Sequence, residues 1–136
     1  MGLFESIPTT ALSVSTRGSD FWLHDGIVYG KTRLGAPHGE LEDAIDLVPK
    51  MKLLIGDSRR PLLFDACNVG WLQINARENL HRHVADLFTR AAVIVRPNAI
   101  RLLSRALLGV ATVEIPVELF VDEEGAWDFV AQSRVA

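Results

Sequence analysis

The fold is decided by the stretch Pro61-Leu62-Leu63-Phe64-Asp65-Ala66-Cys67-Asn68-Val69 and by the residues that follow it to Phe88. Its apolar first half predicts a buried strand. Asn75, with Glu78 three positions later, has the pattern of a capping box, which predicts the start of a helix. In α/β domains, functional residues usually lie where a strand passes through a loop into a helix. No Ser, Thr or Lys lies between Asn68 and Phe88, so this surface offers no hydroxyl or amine nucleophile.

Composition limits the class of protein. The chain has 136 residues, which fits one domain with one core. A net charge of −3 argues against a general nucleic-acid binder, because such proteins need a basic surface. A single cysteine excludes an intrachain disulfide and a cysteine-based zinc site, and it fits a reducing cytoplasm. No apolar run approaches the roughly 18 residues that span a bilayer. We expect no signal peptide, no metal and no cofactor.

Antiparallel strands are predicted before the opening stretch. Apolar residues alternate over residues 11–16, which indicates a short edge strand. Two β-rich runs, Phe21–His24 and Ile27–Thr32, are separated by Asp25-Gly26, a dipeptide that accepts the positive φ angles of a type I′ turn. The sequence therefore predicts a β-hairpin at this point.

Alternating helices and strands are predicted for the rest of the chain. The predicted helices cover residues 40–55, with a kink or restart at Pro49, then 75–88, 98–110 and a last helix capped by Asp122. The predicted strands cover residues 62–66, 91–95 and 117–121. Repeated β-α units imply right-handed crossovers and parallel strands. We therefore predict one α/β domain over residues 11–136, with a mixed sheet, about four helices and a lead-in over residues 1–10.

Four stretches, taken in their order along the chain, resemble one known family. They are Phe21–Val28 in the hairpin, Leu41–Ala44 in the first helix, Leu62–Asp65 in the strand and Glu118–Trp127 at the end, and Arg101–Gly109 fits as well. The family is the STAS domain of bacterial anti-sigma-factor antagonists. The chain is most similar to its small stand-alone STAS-like branch, whose three-layer fold is also compared with the lipid-binding CRAL-TRIO domain. The resemblance covers residues 20–131.

This resemblance implies a regulatory module that is not an enzyme. In anti-sigma-factor antagonists, a kinase phosphorylates a Ser or Thr at the start of the second helix, and the added charge breaks a protein interface. The matching region here reads Ile74-Asn75-Ala76-Arg77-Glu78-Asn79 and has no hydroxyl group. The resemblance therefore implies partner binding through this helix start without the phosphorylation switch.

Polar residues after the predicted strands give a candidate binding site. Because parallel strands end at the same edge of a sheet, these residues are expected to meet at its carboxyl edge, with two helix N-termini pointing there. This arrangement would suit an anion or an acidic peptide, and the alternative is solvated loop residues. Trp71, in an apolar loop, either fills the core or forms an exposed contact. The candidate residues are Asn68, Trp71, Asn75, Arg77, Arg96 and Asn98.

Catalytic groups are weaker candidates. Cys67 could act as a nucleophile beside His81 or His83, but a small core residue is the alternative that we favour. The two histidines are two positions apart on a helix, so they cannot chelate one metal as an i, i+4 pair would. Asp65 is either a buried acid with a raised pKa or, as we favour, an acceptor of backbone hydrogen bonds at the strand's end.

The sequence therefore favours a cytoplasmic, bacterial protein-interaction module with a protein partner, and it allows a homodimer. The first alternative is a carrier of a small apolar ligand, with a pocket between the sheet and the helix of Leu102, Leu103, Ala106 and Leu107. An enzyme is the third hypothesis. No nucleophile–base pair and no set of metal ligands has a spacing in the sequence that would support it.

Overall fold

A six-stranded mixed sheet forms the centre of the molecule. The computed structural model describes residues 2–33, 41–67, 85–99 and 115–135. Within them the strand order is β1-β2-β3-β4-β5-β6. The strands are β1 (Leu12–Ser15), β2 (Ser19–His24), β3 (Ile27–Thr32), β4 (Arg60–Asp65), β5 (Phe88–Ile94) and β6 (Val117–Phe120). Strands β1 to β3 pair antiparallel and β3 to β6 pair parallel, so the predicted mixed sheet is confirmed.

α-Helical residues occur in three places along the described chain, and 3-10 turns occur in two more. Helix α1 is Leu41–Ile55, helix α2 is Glu123–Val135, and residues 85–87 are also helical. Helix α1 continues through Pro49 and does not restart there. Of the predicted helix over residues 98–110, only the 3-10 turn Pro97–Ala99 is described. The described residues therefore contain three helices, slightly fewer than the about four that the sequence predicts.

Turn and cap residues explain where these elements begin and end. Asp25 and Gly26 have φ angles of 56° and 78°, which are the positive values of the predicted type I′ turn. Gly56, with a φ of 63°, ends α1 and donates its N–H to the Lys52 carbonyl at 2.9 Å. The Asp122 carboxylate accepts the N–H of Gly125 at 2.6 Å and caps α2, as predicted.

Apolar side chains cover both faces of the sheet, which makes a three-layer domain. Helix α1 packs on one face, where its Met51 and Leu54 meet Phe21, Val28 and Phe88. Helix α2 packs on the other face, where the buried residues are Ile27, Tyr29, Leu63, Ala92, Ile94, Ala126 and Val130. Both layers exclude water from apolar surface, and this burial is the main stabilising contribution to the fold.

The boundary between residues 85–87 and β5 differs from the prediction. The sequence predicts a helix to Phe88 and a strand from Ala91, but β5 already begins at Phe88. Phe88 lies opposite Arg60 in the parallel pairing of β4 with β5. A short apolar run fits a helix and a buried strand equally well, and here the pairing with β4 decides for the strand.

The N-terminal residues contribute to the second face. Residues 4–6 form a 3-10 turn, and Leu3, Phe4 and Ile7 pack against the cluster around Tyr29. The Phe4 ring lies edge-on to Trp22 and Tyr29, with centroid distances of 6.2 and 6.0 Å. The division into a lead-in over residues 1–10 and a domain over residues 11–136 stays a prediction.

Candidate functional site

The parallel strands end together at one edge of the sheet. Lys31 in β3 pairs with Asp65 in β4, Asp65 pairs with Ile94 in β5, and Ile94 pairs with Phe120 in β6. We call this row the carboxyl edge. Backbone hydrogen bonds continue past the strand ends, from Ala66 N–H to the Ile94 carbonyl and from Val95 N–H to the Phe120 carbonyl, both at 2.8 Å. Ala66 after β4 and Val95 after β5 are therefore held in place by the neighbouring strands.

Two of the predicted site residues are placed at the carboxyl edge. Arg96 and Asn98 follow β5 directly, and both side chains are exposed. The other four, Asn68, Trp71, Asn75 and Arg77, lie outside the described residues. Their part in a site stays a prediction.

Asp65 anchors the end of β4. Its Oδ1 accepts the N–H of Cys67 at 2.9 Å, which is the strand-end hydrogen bond that the sequence favoured for this residue. The Cys67 thiol lies 4.0 Å from the Ile94 carbonyl and packs against the apolar cluster of the second face. The two side chains thus shape the turn that leaves β4.

The pKa of the Cys67 thiol depends on burial and on charged groups at the strand ends. Burial raises the pKa of the Cys67 thiol above its ordinary value, and a hydrogen bond with Asp65 and the Asp65 charge add to this. The charges of Arg96 and Lys31 act in the opposite direction and lower the same pKa. At neutral pH the thiol stays protonated, and it is not an activated nucleophile.

Lys31 was not among the predicted site residues. It is exposed near the end of β3, and its Nζ lies 5.7 Å from the centre of the Phe4 ring. The rule that strand ends share one edge would have identified it, because the predicted strand over residues 27–32 contains it. The described part of the carboxyl edge thus carries two exposed cations and two carboxylates. Asp65 accepts a backbone N–H, and the exposed Asp122, which follows β6, caps α2.

The N-terminal segment borders an open cleft at the start of α2. Glu123 Oε2 accepts the N–H of Leu3 at 2.6 Å, a contact that the sequence did not predict. The cleft has a volume of about 350 Å³, and its lining is Gly2, Leu3, Ser6, Glu123, Glu124 and Trp127. Two carboxylates in this lining make it unlike an apolar ligand pocket.

The described residues offer no metal centre and no helix for a membrane. No group of three or more His, Cys, Asp or Glu within residues 2–33, 41–67, 85–99 and 115–135 could hold a metal ion. Over the same residues, no helix has both the length and the apolar character that crossing a bilayer requires. Side chains such as those of Arg96 and Lys31 are able to donate charge-assisted hydrogen bonds to an anionic group.

The strand order, the layers and the strand-end geometry define an α/β domain with a SpoIIAA-like, that is STAS-like, fold. The crystal structure of an uncharacterised protein of the DUF3478 family with a SpoIIAA-like fold, from Shewanella loihica PV-4, superposes with a TM-score of 0.55. That protein is 18% identical, and the match covers 88% of this chain and 98% of that chain. The likeness shows the fold and confirms the STAS-like resemblance.

The model of the family described as domain of unknown function DUF7793 matches residues 21–134, and the chain belongs to this family. No curated protein matches the chain.

Proposed function

We propose that this protein is a cytoplasmic, bacterial protein-interaction module that binds an acidic segment of a partner protein at the carboxyl edge. The observation that carries the proposal is the pair of exposed cations on the carboxyl edge, Lys31 near the end of β3 and Arg96 after β5. Arg binds carboxylates through two parallel hydrogen bonds, and Lys adds a flexible point charge. An acidic peptide fits such an edge better than an apolar ligand does.

The STAS-like fold supports an interaction role, since anti-sigma-factor antagonists, which the chain resembles, have a protein interface at the start of the second helix, the region that residues 74–79 match. We propose that the protein lacks the phosphorylation switch of anti-sigma-factor antagonists, because residues 74–79 contain no Ser or Thr. Binding would therefore be controlled by the amount of partner or by its own modification. A second copy of the chain is also proposed to associate with the first, which would place two carboxyl edges in one particle.

The proposed role is not catalytic. The Cys67 thiol has a raised pKa, which disfavours the reactive thiolate. The Asp65 carboxylate already accepts a backbone N–H, so it is engaged in holding the turn after β4. These two observations favour binding over acyl transfer or thiol chemistry at this edge.

A charge-reversal experiment tests the proposal. The tagged full-length chain, its Arg96→Glu variant and its Arg96→Lys variant are captured from the cells in which the protein occurs, and the bound proteins are quantified. We expect Arg96→Glu to lose the partner and Arg96→Lys to retain most of it, because Lys keeps the charge. Arg96 is exposed, so stability should change by no more than about 0.5 kcal/mol.

The salt dependence gives a second readout. If exposed charges carry the binding, the captured partner should decrease as the ionic strength rises, since salt screens such pairs. Equal capture by wild type and by a Lys31→Glu, Arg96→Glu double variant would overturn the proposal. Release of a small apolar molecule from the purified chain, with no bound protein, would favour the ligand carrier in its place.

A further inference from the structure

We propose that Phe4 is a positioning residue for the carboxyl edge: its ring holds the Lys31 ammonium where a carboxylate of the partner's acidic segment reaches it. This role rests on the proposed function and extends it, because it adds the segment Gly2–Ile7 to the structures on which partner binding depends. Phe4 does not have to touch the partner. It acts through Lys31, which is one of the two cations of the edge.

Lys31 lies on the same face of β3 as Tyr29. Side chains alternate along a strand, and Tyr29 belongs to the buried cluster of the second face, so Lys31, two positions later, is directed to that face as well. Its Nζ lies 5.7 Å from the centre of the Phe4 ring. An ammonium within about 6 Å of a ring centre, over the ring face, is attracted by the electrons of that face. Lys31 and Phe4 therefore form a cation–π pair near the end of β3.

The carboxylates opposite Lys31 on the two neighbouring strands bind other groups. Asp20 in β2 and Asp65 in β4 both pair with Lys31 in the strand register. Asp20 Oδ1 accepts from Arg33 Nη1 at 2.6 Å, and Asp65 Oδ1 accepts the N–H of Cys67 at 2.9 Å. Among the described residues, Lys31 forms no salt bridge with a carboxylate. The Phe4 ring thus restrains the ammonium, and no described carboxylate takes up its N–H donors.

The Phe4 ring is itself held from two directions. It lies edge-on to Trp22 and Tyr29, with ring centroids 6.2 and 6.0 Å away. Leu3, the preceding residue, donates its N–H to Glu123 Oε2 at 2.6 Å, and this charge-assisted bond anchors the segment to the start of α2. A ring that is fixed in this way offers the ammonium one preferred position.

Restraint of the Lys31 side chain favours binding of a carboxylate. A free lysine side chain has many rotamers, and it loses much of this freedom when it forms an ion pair, which opposes binding. An ammonium that a ring already restrains loses less, so the same carboxylate binds more tightly. A cation–π contact at an exposed site corresponds to a change in affinity of about two- to five-fold.

NMR of the full chain tests the contact in the absence of any partner. The ring current of Phe4 should shift the ε-methylene protons of Lys31 upfield, and Phe4→Leu should abolish this shift while the chain stays folded, because Leu keeps an apolar side chain in the cluster. Wild-type protons at the positions of an unrestrained lysine would overturn the inference. That result would not affect the charge-reversal experiment at Arg96.

Titration with hexaglutamate at low ionic strength tests the effect on binding. We expect Phe4→Leu to bind this peptide about two- to five-fold more weakly than the wild type does, and Phe4→Tyr, which keeps the ring face, to bind as the wild type does. Phenylalanines with one and then three fluorine atoms at position 4 draw electrons from the ring face with little change in shape, so the affinity should fall in that order. This series decides the question if Phe4→Leu does not fold.

Lys31→Met provides the matched background, since Met keeps an unbranched side chain without the charge. Phe4→Leu should not weaken binding further in this background, because Phe4 acts through Lys31. Equal weakening in both backgrounds would show a merely structural role and overturn the inference. Wild-type affinity in Phe4→Leu would also overturn it, and partner binding through Arg96 would still stand. A wild type that shows the Lys31 shift but does not bind hexaglutamate would contradict the proposed function and the positioning role together.

Discussion

Gly30 is where the packing of the sheet against α1 can be tested most sharply. It is buried in β3, directly under the stacked rings of Phe21 and Phe64, whose centroids are 5.8 Å apart. A Cβ at this position would lie 2.6 Å from Phe21 Cε1 and 2.6 Å from Phe64 Cδ1. Normal carbon contacts need about 3.5 Å, so both rings would have to move by about 1 Å. Phe21 is only 4% exposed and has little room to do so.

The size of the effect follows from two opposing contributions. Overpacking of a filled core costs about 1–3 kcal/mol, and a clash with two rings belongs at the upper end. Replacing Gly by Ala in a strand returns about 0.5–1 kcal/mol, because Ala loses less conformational freedom on folding. We therefore expect Gly30→Ala to lower the free energy of unfolding by about 2 kcal/mol, and the melting temperature by roughly 8 °C for a chain of this length.

Urea unfolding and calorimetry measure this change, and a second variant tests its cause. Phe64→Leu removes one of the two rings, so Gly30→Ala should cost much less in that background than in the wild type. Gly56→Ala is the comparison for pure backbone strain, since a Cβ there meets nothing within 4 Å and the φ is +63°. A Gly30→Ala protein as stable as the wild type would refute the placement of the rings over Gly30.

Three further predictions concern the cap, the N-terminal contact and the thiol. Asp122→Ala should destabilise the protein by about 1 kcal/mol in thermal unfolding, because α2 loses its N-cap. Glu123→Ala should speed hydrogen exchange at the Leu3 amide, which loses its 2.6 Å acceptor, and leave exchange in β4 unchanged. Alkylation of Cys67 by iodoacetamide should be slow at pH 7 and accelerate only at alkaline pH, because the pKa is raised. Arg96→Gln should slow it further, since that cation lowers the pKa; faster alkylation would contradict the arrangement.

Local signals account for the elements that the sequence predicts correctly. The Asp25-Gly26 turn fixes β2 and β3, and the predicted strand Ile27–Thr32 has the same bounds in the structure. Asp122 and Gly56 mark helix ends by backbone chemistry that depends on few neighbours. The residues that determine each of these features lie within four positions of one another, so the features can be predicted from the sequence.

Features that depend on contacts between distant residues are harder to predict from the sequence. The start of β5 at Phe88 is decided by pairing with β4, and the contacts of Phe4 are decided by Trp22 and Tyr29 on other elements. The candidate site shows the same division. The edge position of Arg96 follows from the strand-end rule, whereas the Glu123 contact with Leu3 joins residues 120 positions apart and has no local signal.

Native mass spectrometry of the protein, captured gently from its own cells, tests directly whether it is a protein-interaction module. We expect a stoichiometric protein partner on the wild-type chain that is lost from the Arg96→Glu variant and kept by Arg96→Lys. A chain that carries a small-molecule adduct and no protein partner would show that the protein is a ligand carrier and not an interaction module.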